Sequence, residues 1–173
     1  DIDDSCDVVV LTGAAGAFSG GGDLNWILAM CGDFVYATPD AVFADPHVAV
    51  GLVAGDGGAV IWPQLVGYAR ARRYLLTGDA IRGREAAEMG LITEAVPDDQ
   101  LDALVDAMAQ RLASGASYAV KYTKAAINAG LKVTAAAVID RASAFENLTQ
   151  FTNDNRIAAE AFLAKEKPVF TRS

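Results

Sequence analysis

Two kinds of pattern divide the sequence. Its first half is rich in glycine and carries short apolar runs; Val8–Thr12, rich in β-branched residues and followed by Gly13, is typical of a buried strand. Its second half shows the spacing of helices, as in the apolar stripe formed by Leu101, Leu104, Val105, Met108 and Leu112. Strands followed by helices predict an α/β fold with a sheet core and a helical C-terminal part.

Turn and capping residues give the expected boundaries of the smaller elements. Further strands are expected at Asp33–Ala37, Ala41–Phe43, Val48–Val50 and Leu91–Val96. Helices are expected at Ala69–Leu76, Arg84–Met89, Ala119–Ala129 and Thr134–Thr149, at the stripe after the cap Pro97–Asp99, and from Thr152–Asp154 to before Pro168.

Composition excludes several classes of function. The chain has 14 Lys and Arg against 22 Asp and Glu, a net charge of −8. We therefore expect no nucleic-acid partner and no docking on an anionic membrane, both of which need a basic surface. The apolar runs are also too short to span a bilayer. One histidine, His47, excludes a multi-histidine metal site, so no metal is expected.

The cysteines and the N-terminal residues bear on the compartment. Two cysteines, Cys6 and Cys31, do not make a disulfide framework or a zinc site. The stretch Asp1–Asp4 is acidic where a signal peptide is basic. We therefore expect both cysteines to be buried, reduced thiols and the protein to be cytoplasmic.

Two nucleotide-binding motifs fail in detail. The strand ending in Gly13 is not followed by the Gly-x-Gly-x-x-Gly spacing of dinucleotide sites. Tyr118 and Lys121 miss by one residue the Tyr-x-x-x-Lys spacing that a short-chain dehydrogenase needs. A phosphate-binding Gly-Lys-Ser/Thr loop does not occur in the sequence either.

Six segments together resemble the crotonase family, the enoyl-CoA hydratases and isomerases. They follow the family's order and span nearly the whole chain. The segments are Val8–Gly13, Ala17–Leu24, Gly32–Ala37, Phe43–Leu52, Leu75–Asp79 with Ala86–Ile92, and Phe162–Phe170.

The resemblance implies a fold and an assembly. It implies a crotonase-type ββα superhelix, with a sheet and helix core over residues 1–115 and a C-terminal helical trimerisation part over residues 116–173. Apolar stripes on the last helices, which include Val138, Ala142 and Phe145, are the kind of surface that a partner covers. We expect self-association into a trimer or a hexamer.

The resemblance also implies an acyl-CoA thioester substrate, with coenzyme A as part of that substrate and no separate cofactor. Family members hold the thioester enolate with two backbone N–H groups, and Gly20 matches one of them. A donor aimed at developing charge contributes roughly 3–4 kcal/mol. The alternative for this Gly-rich loop is a plain turn between a strand and a helix. Implied substrate-binding residues are Ser19, Gly21, Gly22, Asp23, Trp62, Lys165 and Phe170; Lys165 could instead be a solvated charge at a helix end.

The sequence departs from the family in two ways. The family's first strands, and a segment with a second oxyanion donor before Cys31, have no counterpart, which indicates an incomplete chain. The two glutamates of a typical hydratase are also absent: Ile27 stands at the first position and His47 at the second. Asp56, nine residues after His47, gives a His/Asp spacing that resembles the β-diketone hydrolases of this family.

Three hypotheses for function remain at this point. The leading one is an enoyl-CoA hydratase/isomerase-type enzyme in which Gly20 holds an enolate and His47 and Asp56 manage protons, the carboxylate orienting the imidazole. The second is a retro-Claisen hydrolase of β-diketones that uses the same pair. The third is a catalytically inactive crotonase kept for coenzyme A binding or assembly, in which His47 and Asp56 are structural residues.

Overall fold

Two short pairs of strands join segments between residues 36 and 95 that are distant from one another in the chain. The structure is a computed structural model that describes residues 6–13, 18 and 32–171. Strand β1 (Tyr36–Ala37) pairs in parallel with β4 (Glu94–Ala95). Strand β2 (Val42–Phe43) pairs antiparallel with β3 (Ile81–Arg82). These pairings bring the chain after residue 80 back against the segment that precedes His47.

Helices make up most of the described chain. A 3-10 helix (His47–Val50) is followed by α1 (Gly58–Thr77) and the short α2 (Gly83–Glu88). The C-terminal helices are α3 (Asp98–Ala113), α4 (Ser117–Thr149) and α5 (Asn153–Ala164). None of the helices in residues 32–171 has the length and apolarity needed to cross a membrane.

The hydrophobic core lies between α1, α2 and the short strands. Trp62 and Tyr74 of α1 are its large side chains, with ring centroids 5.7 Å apart, and they are 1% and 3% exposed. The hydroxyl of Tyr74 donates to Glu85 of α2 at 2.8 Å, which satisfies its polar end inside the core. One face of α4 covers this core with Leu131, Ala135, Val138 and Ile139, spaced as a helix requires.

The expected sheet core is not present in the described residues. Val8–Thr12, expected as a buried strand, forms no ladder here, and Val9, Val10 and Leu11 are about half exposed. A strand needs a partner for its backbone groups, and neither of the described strand pairs includes this run. Cys6, expected to be buried, is exposed just before it. The described part of the chain is therefore mostly helical with two strand pairs, and the sheet of the α/β expectation is not found among its residues.

Several expected strands were also too long or of the wrong kind. Val48–Val50 was expected as a strand but belongs to the 3-10 helix, in which the N–H of Gly51 closes the turn on Val48. The strands expected at Asp33–Ala37 and Leu91–Val96 shorten to β1 and β4, which pair over two residues each. Short apolar runs alone do not distinguish these conformations, because the hydrogen-bond partner decides between them.

The helices follow the sequence pattern more closely. Gly78, with φ 71, ends α1 as expected, and Thr152 caps α5 by accepting a hydrogen bond from the Asn155 N–H. Gly67, with φ 76, interrupts α1 between its apolar first part and its basic second part. The two helices expected between residues 119 and 149 are one helix, α4, since packing on the core offsets the roughly 1 kcal/mol cost of Gly130 in a helix interior.

Candidate active site

His47 lies between two aspartates. Its Nδ1 is 2.6 Å from Oδ1 of Asp45, and its Nε2 is 3.4 Å from Oδ2 of Asp56. The side chain of Asp45 is fully buried, that of His47 is 17% exposed, and that of Asp56 is 39% exposed. The imidazole thus has one nitrogen toward the protein interior and the other toward a more open carboxylate.

Local structure explains where Asp45 and His47 point. Pro46 stands before the 3-10 helix, which begins at His47, and the tight turn brings the His47 ring back to the Asp45 carboxylate. Asp45 Oδ1 also accepts a longer hydrogen bond, 3.4 Å, from the His47 backbone N–H. A residue two positions before the histidine therefore reaches both its backbone and its ring.

The loop that carries Asp56 is attached to the end of α4. The Val53 N–H donates to the Thr149 hydroxyl at 3.2 Å, and the Ser143 hydroxyl donates to the Gly55 carbonyl at 3.4 Å. Gly55 allows this approach, because a Cβ there would lie 2.5 Å from the Ala142 carbonyl oxygen. Helix α4 thereby determines the position of the Asp56 loop.

Glu146 joins this group from α4. It lies between Ala142 and Thr149 on the face that contacts the loop, and a Cβ at Gly55 would be 2.7 Å from its Oε2. Burial raises the pKa of Glu146, and the negative charges of Asp56 and Asp45 add to the rise while His47 opposes it. Sequence reasoning missed Glu146, since nothing in the chain before folding relates it to His47.

The pKa of His47 is raised by this surrounding. The largest cause is the hydrogen bond to Asp45; burial lowers the pKa, and the charges of Asp45, Asp56 and Glu146 raise it again. The sequence contained one signal for the contact between Asp45 and His47, which is an acid two residues before the only histidine of the chain.

The other predicted site residues are dispersed. Trp62 is 1% exposed in the core, and its Nε1 has no hydrogen-bond partner there. Lys165 is exposed at the end of α5 with φ 58, about 18 Å from the start of this 12-residue helix. Phe170 is 39% exposed. It lies near the start of α5, where the N–H of the next residue, Thr171, donates to Asp154 at 2.9 Å.

The predicted oxyanion loop lies outside the described residues. This holds for Gly20 and for Ser19, Gly21, Gly22 and Asp23. The structure therefore brings together His47 and Asp56 of the predicted residues, and adds Asp45 and Glu146 to them. Its geometry differs from the expectation in one respect: the shorter contact with the imidazole ring is made by Asp45 and not by Asp56.

Comparison with known proteins assigns the chain to a family. The family model for enoyl-CoA hydratase/isomerase matches residues 25–173. The chain belongs to this family. It is 37% identical over 161 residues to a crotonyl-CoA hydratase of Syntrophomonas wolfei, covering 91% of this chain and 60% of that protein. It is 34% identical over 135 residues to a short-chain-enoyl-CoA hydratase of Clostridioides difficile, covering 78% of this chain and 87% of that protein.

Solved structures agree with this enoyl-CoA hydratase/isomerase family assignment. An enoyl-CoA hydratase/isomerase from Pseudoalteromonas atlantica superposes with a TM-score of 0.78 at 30% identity, covering 86% of this chain and 60% of that one. The crotonase fold is thus shown, and the chain spans about 60% of the length of several proteins that it matches. The comparisons support the hydratase/isomerase family and give no support to the β-diketone hydrolases in particular.

Proposed function

We propose that this chain forms part of an acyl-CoA enzyme that adds water to, or shifts, the double bond of an enoyl thioester. The observation that carries the proposal is the imidazole of His47 held between Asp45 and Asp56 at the position where the family's sequence pattern has a glutamate. Family membership supports the acyl-CoA substrate class, because the similar proteins named above are hydratases of such thioesters.

The site residues fit a water-addition step. His47 Nε2 accepts a proton from water as the water oxygen bonds to the β-carbon, and the electrons of the double bond move to the thioester oxygen. The Gly20 N–H, assigned from its motif, stabilises that enolate. The enolate electrons then form a bond between the α-carbon and the proton returned by His47. Asp56, 3.4 Å from Nε2, stabilises the imidazolium between the two steps.

Activity measurements on two variants test this role. With crotonyl-CoA and the complete protein, His47→Ala and Asp56→Asn should each lower turnover by about a hundredfold or more, the usual scale of acid–base help. Asp106→Asn, an exposed aspartate of α3, is the matched control and should keep wild-type turnover. Turnover of His47→Ala within about twofold of wild type would show that the histidine is structural.

Ligand binding separates the alternatives. Calorimetry with acetoacetyl-CoA should show binding to the wild type and to Asp56→Asn. Binding without turnover of any enoyl thioester would indicate an inactive coenzyme A-binding crotonase. No binding, together with cleavage of a cyclic β-diketone, would indicate the hydrolase.

The substrate contacts and the assembly extend this proposal. We assign Ser19, Gly21, Gly22 and Asp23 to the thioester loop from their motif. Trp62, expected as a further substrate-binding residue, is buried in the core and is therefore not proposed as a substrate contact. Lys165 and Phe170 are proposed for coenzyme A, and their separation along α5 means that they contact different parts of it or belong to different subunits' sites. We also propose that copies of the chain associate with one another through residues 116–173.

A further inference from the structure

The carboxylate of Asp45 lies in the protein interior, away from water. Its side chain is 0% exposed, and a buried carboxylate is costly unless a partner compensates it. His47 Nδ1 at 2.6 Å is that partner. Sequence reasoning had given Asp45 no role, and the water-addition step above does not use it.

The other carboxylate oxygen of Asp45 lies against the start of α1. Asp45 Oδ2 has no hydrogen-bond partner in the described residues and lies against Gly58, the first residue of α1. A Cβ at position 58 would overlap Oδ2, so only glycine allows the carboxylate to come this close. A helix N-terminus carries partial positive charge, which attracts a negatively charged group beside it.

The two nitrogens of His47 therefore stand in unequal surroundings. Nδ1 meets a buried carboxylate at short distance, whereas Nε2 meets a carboxylate that is 39% exposed and 3.4 Å away. In a neutral imidazole one nitrogen carries the proton and the other accepts one. The carboxylate of Asp45 is the stronger acceptor, because it is closer and shielded from water, and it therefore favours a proton on Nδ1. The lone pair of Nε2 is then left free.

We propose that Asp45 is a positioning residue that holds His47 as its Nδ1–H tautomer, so that Nε2 is the atom that accepts the proton from water. The role of Nε2 in the reaction rests on the proposed function, whereas the tautomer of His47 does not depend on it. It reverses the roles expected from the sequence, in which Asp56 orients the ring. The charged groups that face the imidazole are Asp45, Asp56 and, from α4, Glu146.

Nitrogen NMR of the histidine ring tests the tautomer without any substrate. The His47 signals are assigned in the wild type by their loss in His47→Gln. Above the pKa of His47, Nδ1 should show the chemical shift of a protonated nitrogen and Nε2 that of an unprotonated one. The opposite pattern in the wild type would overturn the proposal, whether or not any variant folds.

Substitution then assigns the effect to Asp45. Asp45→Asn keeps the shape but removes the charge, so the pKa of His47 should fall and the Nδ1–H tautomer should lose its dominance. Asp40→Asn, an exposed aspartate in the preceding turn, should leave both unchanged. A wild-type pKa and tautomer in folded Asp45→Asn would contradict the proposal.

The kinetic readout distinguishes this proposal from the function itself. For an active wild type, Asp45→Asn should lower kcat by about tenfold or more with KM nearly unchanged, a smaller loss than the roughly hundredfold expected for the acid–base group. Its pH profile of kcat/KM should move to lower pH together with the pKa of His47. If the wild type has no activity on enoyl thioesters, the proposed function fails, and the NMR result still decides the role of Asp45.

Discussion

At the scale of single residues, the site depends on which carboxylate meets which nitrogen of one imidazole. Asp45 and Asp56 are both close to His47 in the chain, but one is buried and the other is partly open to solvent. Their effects on the ring differ because a charge acts more strongly where water is excluded.

The first prediction concerns the pH dependence of stability. The pKa of His47 is raised in the folded protein, chiefly by the Asp45 hydrogen bond, so the charged imidazolium stabilises the fold. That contribution is fully present below the unfolded pKa of about 6.5 and is lost as the pH rises through the folded pKa. Urea unfolding at a series of pH values should show the wild type losing its advantage over His47→Gln across this window. An advantage that grows with pH would contradict the assignment.

The second prediction concerns Gly58. Gly58→Ala places a methyl group against the buried Asp45 Oδ2, so the carboxylate or the start of α1 must shift. We expect a loss of about 1–3 kcal/mol in the free energy of unfolding, as for other overpacked sites, together with reduced turnover. Gly130→Ala is the matched control, since a Cβ there meets nothing within 4 Å and the change favours a helix interior. Equal stability of the two variants in thermal unfolding would show that Asp45 moves freely.

At the scale of elements, helix α4 connects the core to the site. Its middle packs against the hydrophobic core through Leu131 and Val138, while its end holds the Asp56 loop through Ser143 and Thr149. The sequence predicted two helices here, but the structure has one. A single continuous helix fixes the position of the Asp56 loop relative to the core.

The third prediction follows from this attachment. Thr149→Val removes the acceptor for the Val53 N–H and leaves that group without its partner. We expect a loss of about 1 kcal/mol in the free energy of unfolding and a greater proportional loss of turnover, because Asp56 is carried by the same loop. Thr134→Val is the control, since its hydroxyl donates only within α4, to Gly130. Wild-type turnover in Thr149→Val would show that the loop is held by packing alone.

At the scale of the whole molecule, the C-terminal helices leave large apolar side chains uncovered. Phe151 is 88% exposed, Leu163 82%, Phe162 78% and Tyr118 76%. Buried side chains in these helices are small, as at Ala142 and Ala158. Apolar surface on this scale is a usual sign of a partner, and the partner we propose is a second and third copy of the chain.

The fourth prediction is the assembly itself. Light scattering of the complete protein at micromolar concentration should give a trimer or a hexamer. Phe151→Lys combined with Leu163→Lys should dissociate it, since two charges would be buried without partners. A monomeric wild type would contradict the proposal.

The sequence by itself determined the elements whose causes are local. Gly78 and Thr152 end and begin helices because a left-handed residue and a capping hydroxyl act within one turn, and both were found from the sequence. Family membership was also visible, since ordered motifs persist along the chain whatever their spatial arrangement. The pairing of His47 with Asp56 was predicted from their spacing, and the two side chains lie 3.4 Å apart.

Only the tertiary structure decided what required distant partners. The run at Val8–Thr12 has strand character, but a strand forms only where another strand offers its backbone groups. Asp45 became the partner of Nδ1 because the 3-10 helix turns the ring back and α1 closes over the carboxylate. Glu146 reached the site because α4 packs on the core at one end and on the Asp56 loop at the other. Burial and long-range packing set these contacts, and neither is written in local spacing.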